Sequence, residues 1–239
     1  MPRFMMFFGL ALAQIAAGCA DPPDSPLGHA AAKDDATEVQ RLIAAGHGVN
    51  DVGPSGGTPL LAAVRHGALK ALRALLDAGA DPDLPDSRGT GWSPVKHAIH
   101  TRHPEALRVL LERGADPNGA GRGGGIPLLM AAAEEDPIYV TLLLAHGADP
   151  RGDRNQGANV LSKAVSGGAL EDIDRPLLGG CHPQTVRALL EHDPTLRLSP
   201  DYGPSRGARW IARFHGCREV LRLVELADQR AMAKEGQGR

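Results

Sequence analysis

Three stretches of this chain match patterns that carry chemistry. Gly53-Pro54-Ser55-Gly56-Gly57 and Gly203-Pro204-Ser205-Arg206-Gly207 both fit G-x-S-x-G, the frame of a nucleophilic serine. Such a serine needs a strand before it and a helix after it, so that its hydroxyl stands exposed on a strained turn. Here glycine and proline crowd both matches, which predicts loop tips and no elbow. Gly119-Ala120-Gly121-Arg122-Gly123-Gly124 fits G-x-G-x-x-G, but it follows a predicted helix end where a dinucleotide site needs a strand.

His97, His100 and His103 are spaced by three. On a helix each such step turns back by about 60°, so the three spiral instead of sharing a face. No cysteine or carboxylate is spaced to complete a tetrahedral metal site. Glu134-Glu135-Asp136 reads as a helix end followed by an N-cap before Pro137. No catalytic residue, metal ligand or cofactor is expected.

The elements that carry these residues repeat. Thr58 to Pro82 opens with Thr-Pro-Leu, passes through Ala62-Ala63-Val64 to Gly67, and resumes with Leu69, Leu72, Leu75 and Leu76 at helical spacing. It closes on Gly79-Ala80-Asp81-Pro82, a helix end followed by an extended loop. The register recurs at Ser25-Pro26-Leu27, Ser93-Pro94-Val95, Ile126-Pro127-Leu128 and Asn159-Val160-Leu161, at offsets of 33, 35, 33 and 33 residues. Gly46, Gly79, Gly114 and Gly147 fill the closing column, and Gly-Ala-Asp-Pro stands at the last three. Pro104, Pro137 and Pro183 share a column at the start of the second helix, where a missing N–H costs nothing.

A period near 33 with T-P-L-x-x-A and G-A-D-P resembles the ankyrin-repeat family over about Ser25 to Asp228. The resemblance implies an all-α solenoid of stacked helix-turn-helix repeats, five recognisable and a degenerate C-terminal cap. Composition agrees: 42% of residues are hydrophobic but only 3% aromatic, as suits thin Leu/Ala/Val layers. The net charge of −2 supplies no basic stripe for nucleic acid.

Residues 1–18 carry Arg3 and an apolar run from Phe4 to Ala17, too short for a membrane span and suited to a signal peptide. Ile15-Ala16-Ala17-Gly18-Cys19 resembles a bacterial lipoprotein cleavage box, departing from it at Ala16, where leucine is usual. That resemblance implies lipid on Cys19, a tether over 19–24, and a periplasm-facing protein. Ala20 directly after the cysteine favours the outer membrane.

The first repeat is degenerate, with Lys33-Asp34-Asp35 in the Gly67 column. The fifth contains an insertion near 167–180, either a docking loop or a tolerated lengthening. The sixth unit, Ala208 to Asp228, reads as the cap, and 229–239 as a fraying polar tail. Cys181 and Cys217 fall on one edge of adjacent layers. They are either bonded or two separate thiols, since packed helices lie about 8–10 Å apart and a disulfide needs Cα atoms within about 7 Å.

In the ankyrin-repeat family, partners contact the loop tips and the exposed end of the first helix. Carried over by column, those positions are Ser55, Arg65 and His66; Ser87, Arg88, Trp92, His100 and Thr101; Arg122 and Glu134; and Asn155 and Gln156. Arg65, Arg88 and Arg122 make successive layers basic, and Trp92 is either a contact or a plug over the neighbouring helix. The expected function is non-catalytic binding of another protein by a monomer. Two narrower readings are an immunity protein that neutralises a secreted toxin, and an envelope or oxidative-stress protective factor.

Overall fold

The computed structural model describes residues 25–119, 121, 125–134, 136–151, 160–166, 181–198 and 203–237, with only the helical backbone described for 203–206 and 231–237. The signal segment, Cys19 and its tether, Arg122, Asn155, Gln156 and the 167–180 insertion lie outside the described residues.

Twelve helices are described, in six hairpins: α1 (Pro26–Ala32) and α2 (Ala36–Ala44), α3 (Pro59–His66) and α4 (Leu69–Asp77), α5 (Pro94–His100) and α6 (Pro104–Glu112), α7 (Pro127–Ala131) and α8 (Ile138–Ala145), α9 (Val160–Ser166) and α10 (Pro183–His192), and α11 (Gly203–Phe214) and α12 (Arg218–Gln237). The first helices pack in one row and the second helices in another, each against its own partner and its neighbours in the row. Among the described residues there is no strand. The chain is an all-α solenoid.

Each first helix starts where the sequence marks it. Ser25, Thr58 and Ser93 accept hydrogen bonds from the N–H groups of Gly28, Leu61 and Lys96, and proline follows each of them. In the fourth hairpin Ile126 offers no acceptor, and α7 has only five residues. The layer between the rows is small and dry: Leu60, Leu72, Leu107, Leu110, Leu143 and Leu189 are fully buried. Truncating one such leucine to alanine typically costs about 2–5 kcal/mol, because a close-packed layer cannot refill the space.

Side chains of one repeat satisfy the backbone of the next. Asn50 Oδ1 accepts from Asp81 N–H at 2.9 Å, Asp83 Oδ1 from Asp116 N–H at 2.9 Å, and Asn118 Oδ1 from Asp149 N–H at 2.9 Å. The two asparagines also donate to the carbonyls of Gly79 and Gly147. Asp34 does the same for a helix: its Oδ1 accepts from Lys70 N–H (2.7 Å) and Ala71 N–H (2.9 Å), capping α4, which lacks a cap of its own. The degenerate Lys33-Asp34-Asp35 segment thus supplies the cap acceptor for the second repeat, with Asp34 held at φ 58° to reach it.

The C-terminal end departs from expectation twice. Gly203-Pro204-Ser205-Arg206-Gly207, expected as a loop tip, forms the first turns of α11, where Pro204 is tolerated. The expected fraying tail instead continues α12 to Gln237. Its Gln229-Arg230-Ala231-Met232-Ala233-Lys234-Glu235 run consists of strong helix formers, and that propensity outweighs its polarity.

Candidate functional site

The tip between α4 and α5 is built around a buried carboxylate. Asp86 is almost wholly buried, and its N–H donates to the Trp92 carbonyl at 3.0 Å, closing the loop between them. Its Oδ1 accepts from Arg88 N–H at 2.9 Å, the short-range bond by which aspartate shapes a turn. Its Oδ2 accepts from the Arg65 guanidinium at 3.0 Å.

His97 lies beside this pair, buried, with Nε2 3.4 Å from Arg65 Nη2. Burial, then the Arg65 charge, pushes its pKa down to about 3. The imidazole is therefore neutral at physiological pH. A guanidinium can only donate, so Nε2 accepts and the proton sits on Nδ1. The 3.8 Å approach of Nε2 to Asp86 is accordingly no ion pair at that pH.

Trp92 closes the outer side. It is half-buried, with His97 at 5.7 Å and His100 edge-on at 5.0 Å between ring centroids. The Lys96 ammonium sits 5.2 Å from the indole centroid, a cation–π contact, and burial lowers its pKa. Trp92 is thus both plug and surface: it covers Lys96 and His97 and leaves part of the indole in solvent.

Neighbouring tips pack edge to edge. Ser87 donates to the Gly56 carbonyl from its N–H (3.0 Å) and its hydroxyl (3.2 Å), and Ser93 Oγ donates to the Gly119 carbonyl at 2.6 Å. A Cβ on Gly56 would lie 2.6 Å from Arg88 N, and one on Gly121 would lie 2.3 Å from the Gly91 carbonyl oxygen. These G-x-S-x-G and G-x-G-x-x-G glycines therefore serve close approach between tips.

The positions carried over by column divide accordingly. His66, Ser87, Arg88 and His100 are exposed, and the Arg88 side chain has no ion pair among the described residues. Arg65 differs from the free cation expected of it. It is consumed by Asp86 and belongs to the frame of the tip, which breaks the expected Arg65–Arg88–Arg122 ladder. Glu134 is largely covered and pairs with Arg102 at 3.2 Å. Thr101 bonds back to the His97 carbonyl, and Ser55 is half-buried. Asp86, Lys96 and His97 were missed as organisers. Only Asp86 carries a local signal, an aspartate opening the turn Asp86-Ser87-Arg88-Gly89.

A model of ankyrin repeats in three copies matches residues 11–86 and 27–121. The matched residues carry ankyrin repeats. No curated protein matches it. Ankyrin repeats are in general modules for protein–protein interaction and are typically non-enzymatic. Of the G-x-S-x-G matches, one lies in the tip preceding α3 and the other within α11, and neither follows a strand among the described residues.

The sulfurs of Cys181 and Cys217 are bonded, with Cα atoms 5.3 Å apart. The helix spacing that argued against the bond does not apply, because both cysteines sit in the turns ahead of α10 and α12, off the helix bodies.

Proposed function

We propose that this protein binds a partner protein through the tips and first-helix ends of its second and third ankyrin repeats, with Arg88, Trp92 and His100 at the centre. The observation that carries this reading is the buried Asp86. It fixes the backbone of the loop at Arg88 and at Trp92, so the segment that carries the arginine and the half-exposed indole is already ordered before binding. Arginine and tryptophan are the residues most enriched among those that dominate interface energies. The preferred partner surface is acidic, since the exposed Arg88 has no ion pair among the described residues.

The protein is further proposed to be a periplasm-facing lipoprotein, held in the outer membrane through Cys19, on the strength of Ile15-Ala16-Ala17-Gly18-Cys19 and Ala20. No helix among the described residues is long and apolar enough to cross a membrane. A monomer that neutralises a toxin or protects an envelope enzyme is compatible with the same surface.

The test is purification from membranes with the native signal, followed by mass spectrometry of what co-purifies, with the Arg88→Ala/Trp92→Ala double variant as control. A stoichiometric protein present with the parent and absent with a folded variant supports the tip surface. Equal recovery with both sinks it. Retention of a Cys19→Ser variant in the membrane fraction would refute the anchor.

A further inference from the structure

The last hairpin exposes what the inner ones bury. Aligned on the turn glycines Gly67 and Gly216, Arg209, Trp210 and Arg213 occupy the columns of Leu60, Leu61 and Val64, all three fully buried in α3. The α3 helix has first-row neighbours on both sides, α1 and α5, whereas α11 packs on α9 alone in its row. Ala208, Ile211 and Ala212 are buried, and Trp210 and Arg213 lie on the opposite arc of α11.

Arginine in place of Leu60 and Val64 suits a face that meets water, as this one does here. Trp210 does not follow that rule. It is 65% exposed and stacks on Phe214, itself 70% exposed, with ring centroids 5.3 Å apart and planes 12° apart. Beside it is an open apolar hollow of about 490 Å³ lined by Gly207, Arg209, Trp210 and Arg213. Arg209 is neutralised by Asp228 at 2.6 Å, while Arg213 has no acidic partner among the described residues.

We propose that this open end of the stack is a second docking surface, and that its occupant is an amphipathic helix of a partner protein. That helix lies against α11 as α5 lies against α3, its apolar side covering Trp210 and Phe214 and an acidic side chain meeting Arg213. The helical shape follows from the seat, which is the place of the next first helix. The acidic requirement follows from Arg213. A second copy of this chain fits worse, because a two-fold contact centred on this face brings the two Arg213 charges near each other. A membrane fits worse because one unpaired arginine is far from the clusters of four to eight that read anionic lipid. This surface is separate from the Trp92 tip and does not rest on that reading.

The probe is a synthetic fifteen-residue helical peptide with a leucine stripe flanked by glutamates, and its counterpart flanked by lysines. Both are fluorescently labelled and titrated into the full chain by anisotropy. The expected result is at least a tenfold preference for the glutamate peptide, loss of at least tenfold in affinity in Trp210→Ala, and reversal of the preference in Arg213→Glu. Both variants should melt like the parent, and Arg88→Ala/Trp92→Ala should bind the peptide unchanged.

Equal affinity for the two peptides, or no binding up to about 1 mM, overturns the proposal. So does self-association in sedimentation that Trp210→Ala abolishes, which would assign the face to a second copy. Sedimentation with phosphatidylglycerol vesicles in place of peptide binding would assign it to a membrane.

Discussion

The second and third repeats and the last two hairpins solve one problem by different means. In the former, each layer is stitched to the next by short polar bonds in register: Asn50 to Asp81, Asp83 to Asp116, Asp34 to the start of α4, and the Arg65–Asp86 pair beneath Trp92. The latter pair has no such ladder among its described residues. A covalent bond joins Cys181 to Cys217 and an ion pair joins Arg187 to Glu219 between the layers, while Arg209–Asp228 ties α11 to α12 within the last hairpin. A strict period allows small side chains to do the joining. Arginine pairs occur in both regions, as Arg65–Asp86 and Arg113–Asp77 show, so among the described residues the disulfide is what the last two hairpins have and the regular repeats lack.

That contrast can be broken most sharply at Asp86. Asp86→Ala leaves the Arg65 guanidinium partly buried and unpaired, which costs on the order of 3 kcal/mol. The chain has two tryptophans, one in each region, so single-tryptophan variants report each region by itself. Urea unfolding read at Trp92 should shift strongly in the Asp86 variant, while Trp210 shifts less. Equal shifts at both would show that the two regions unfold as one unit.

Cys217→Ser probes the other side. Removing a cross-link over this separation typically costs about 2–4 kcal/mol. Here the loss should appear at Trp210 first, and a dithiol reductant should reproduce it in the parent protein but not in the variant.

Acid gives a smaller, signed effect. His97 stays neutral in the folded state down to about pH 3, whereas the unfolded imidazole protonates near pH 6.5. As pH falls between those values the unfolded chain takes up the extra proton, so folding is destabilised. Between pH 7 and pH 5 the loss should be about 1–2 kcal/mol, flattened in His97→Gln. Urea midpoints at the two pH values measure it, and an equally steep His97→Gln profile would contradict the assignment.

The smallest change expected is a gain. Asp83 occupies the ladder position of Asn50 and Asn118, and partial desolvation followed by the nearby Asp116 and Asp81 charges raises its pKa. Asp83→Asn keeps the acceptor for Asp116 N–H and adds a donor for the Gly114 carbonyl. The melting temperature should rise by the equivalent of about 0.5 kcal/mol, and a fall would contradict the ladder.

The periodic part of this architecture was legible in the sequence because repeat boundaries are written locally, in Thr-Pro-Leu, Gly-Ala-Asp-Pro and the leucine doublets. Bonds between layers are not written that way. Arg65 looked like a contact residue because its partner Asp86 lies 21 positions on, inside a loop whose path no spacing predicts. In the sequence His97 is only one of three spiralling histidines and Lys96 carries no signal, because nothing local shows that Trp92 covers them. Cys181–Cys217 could be aligned but not decided, since the turns that hold the cysteines escape the spacing of helix axes. At the carboxyl end, turn-forming Gly-Pro and a polar tail both entered helices, where position within the first turn and helix propensity outweighed composition.

The ladder also has a direction. Asp34, Asn50, Asp83 and Asn118 each supply the acceptor, and in every case the donor belongs to the repeat that follows. A chain that emerges amino-terminus first therefore presents each new hairpin with an acceptor already in place, and no repeat waits for a later one to satisfy its capped amides. The stack is assembled like a course of bricks with the mortar on the upper face, and a chain cut short at a repeat boundary leaves at its end only spare side-chain carboxylate or carboxamide groups, which water readily satisfies.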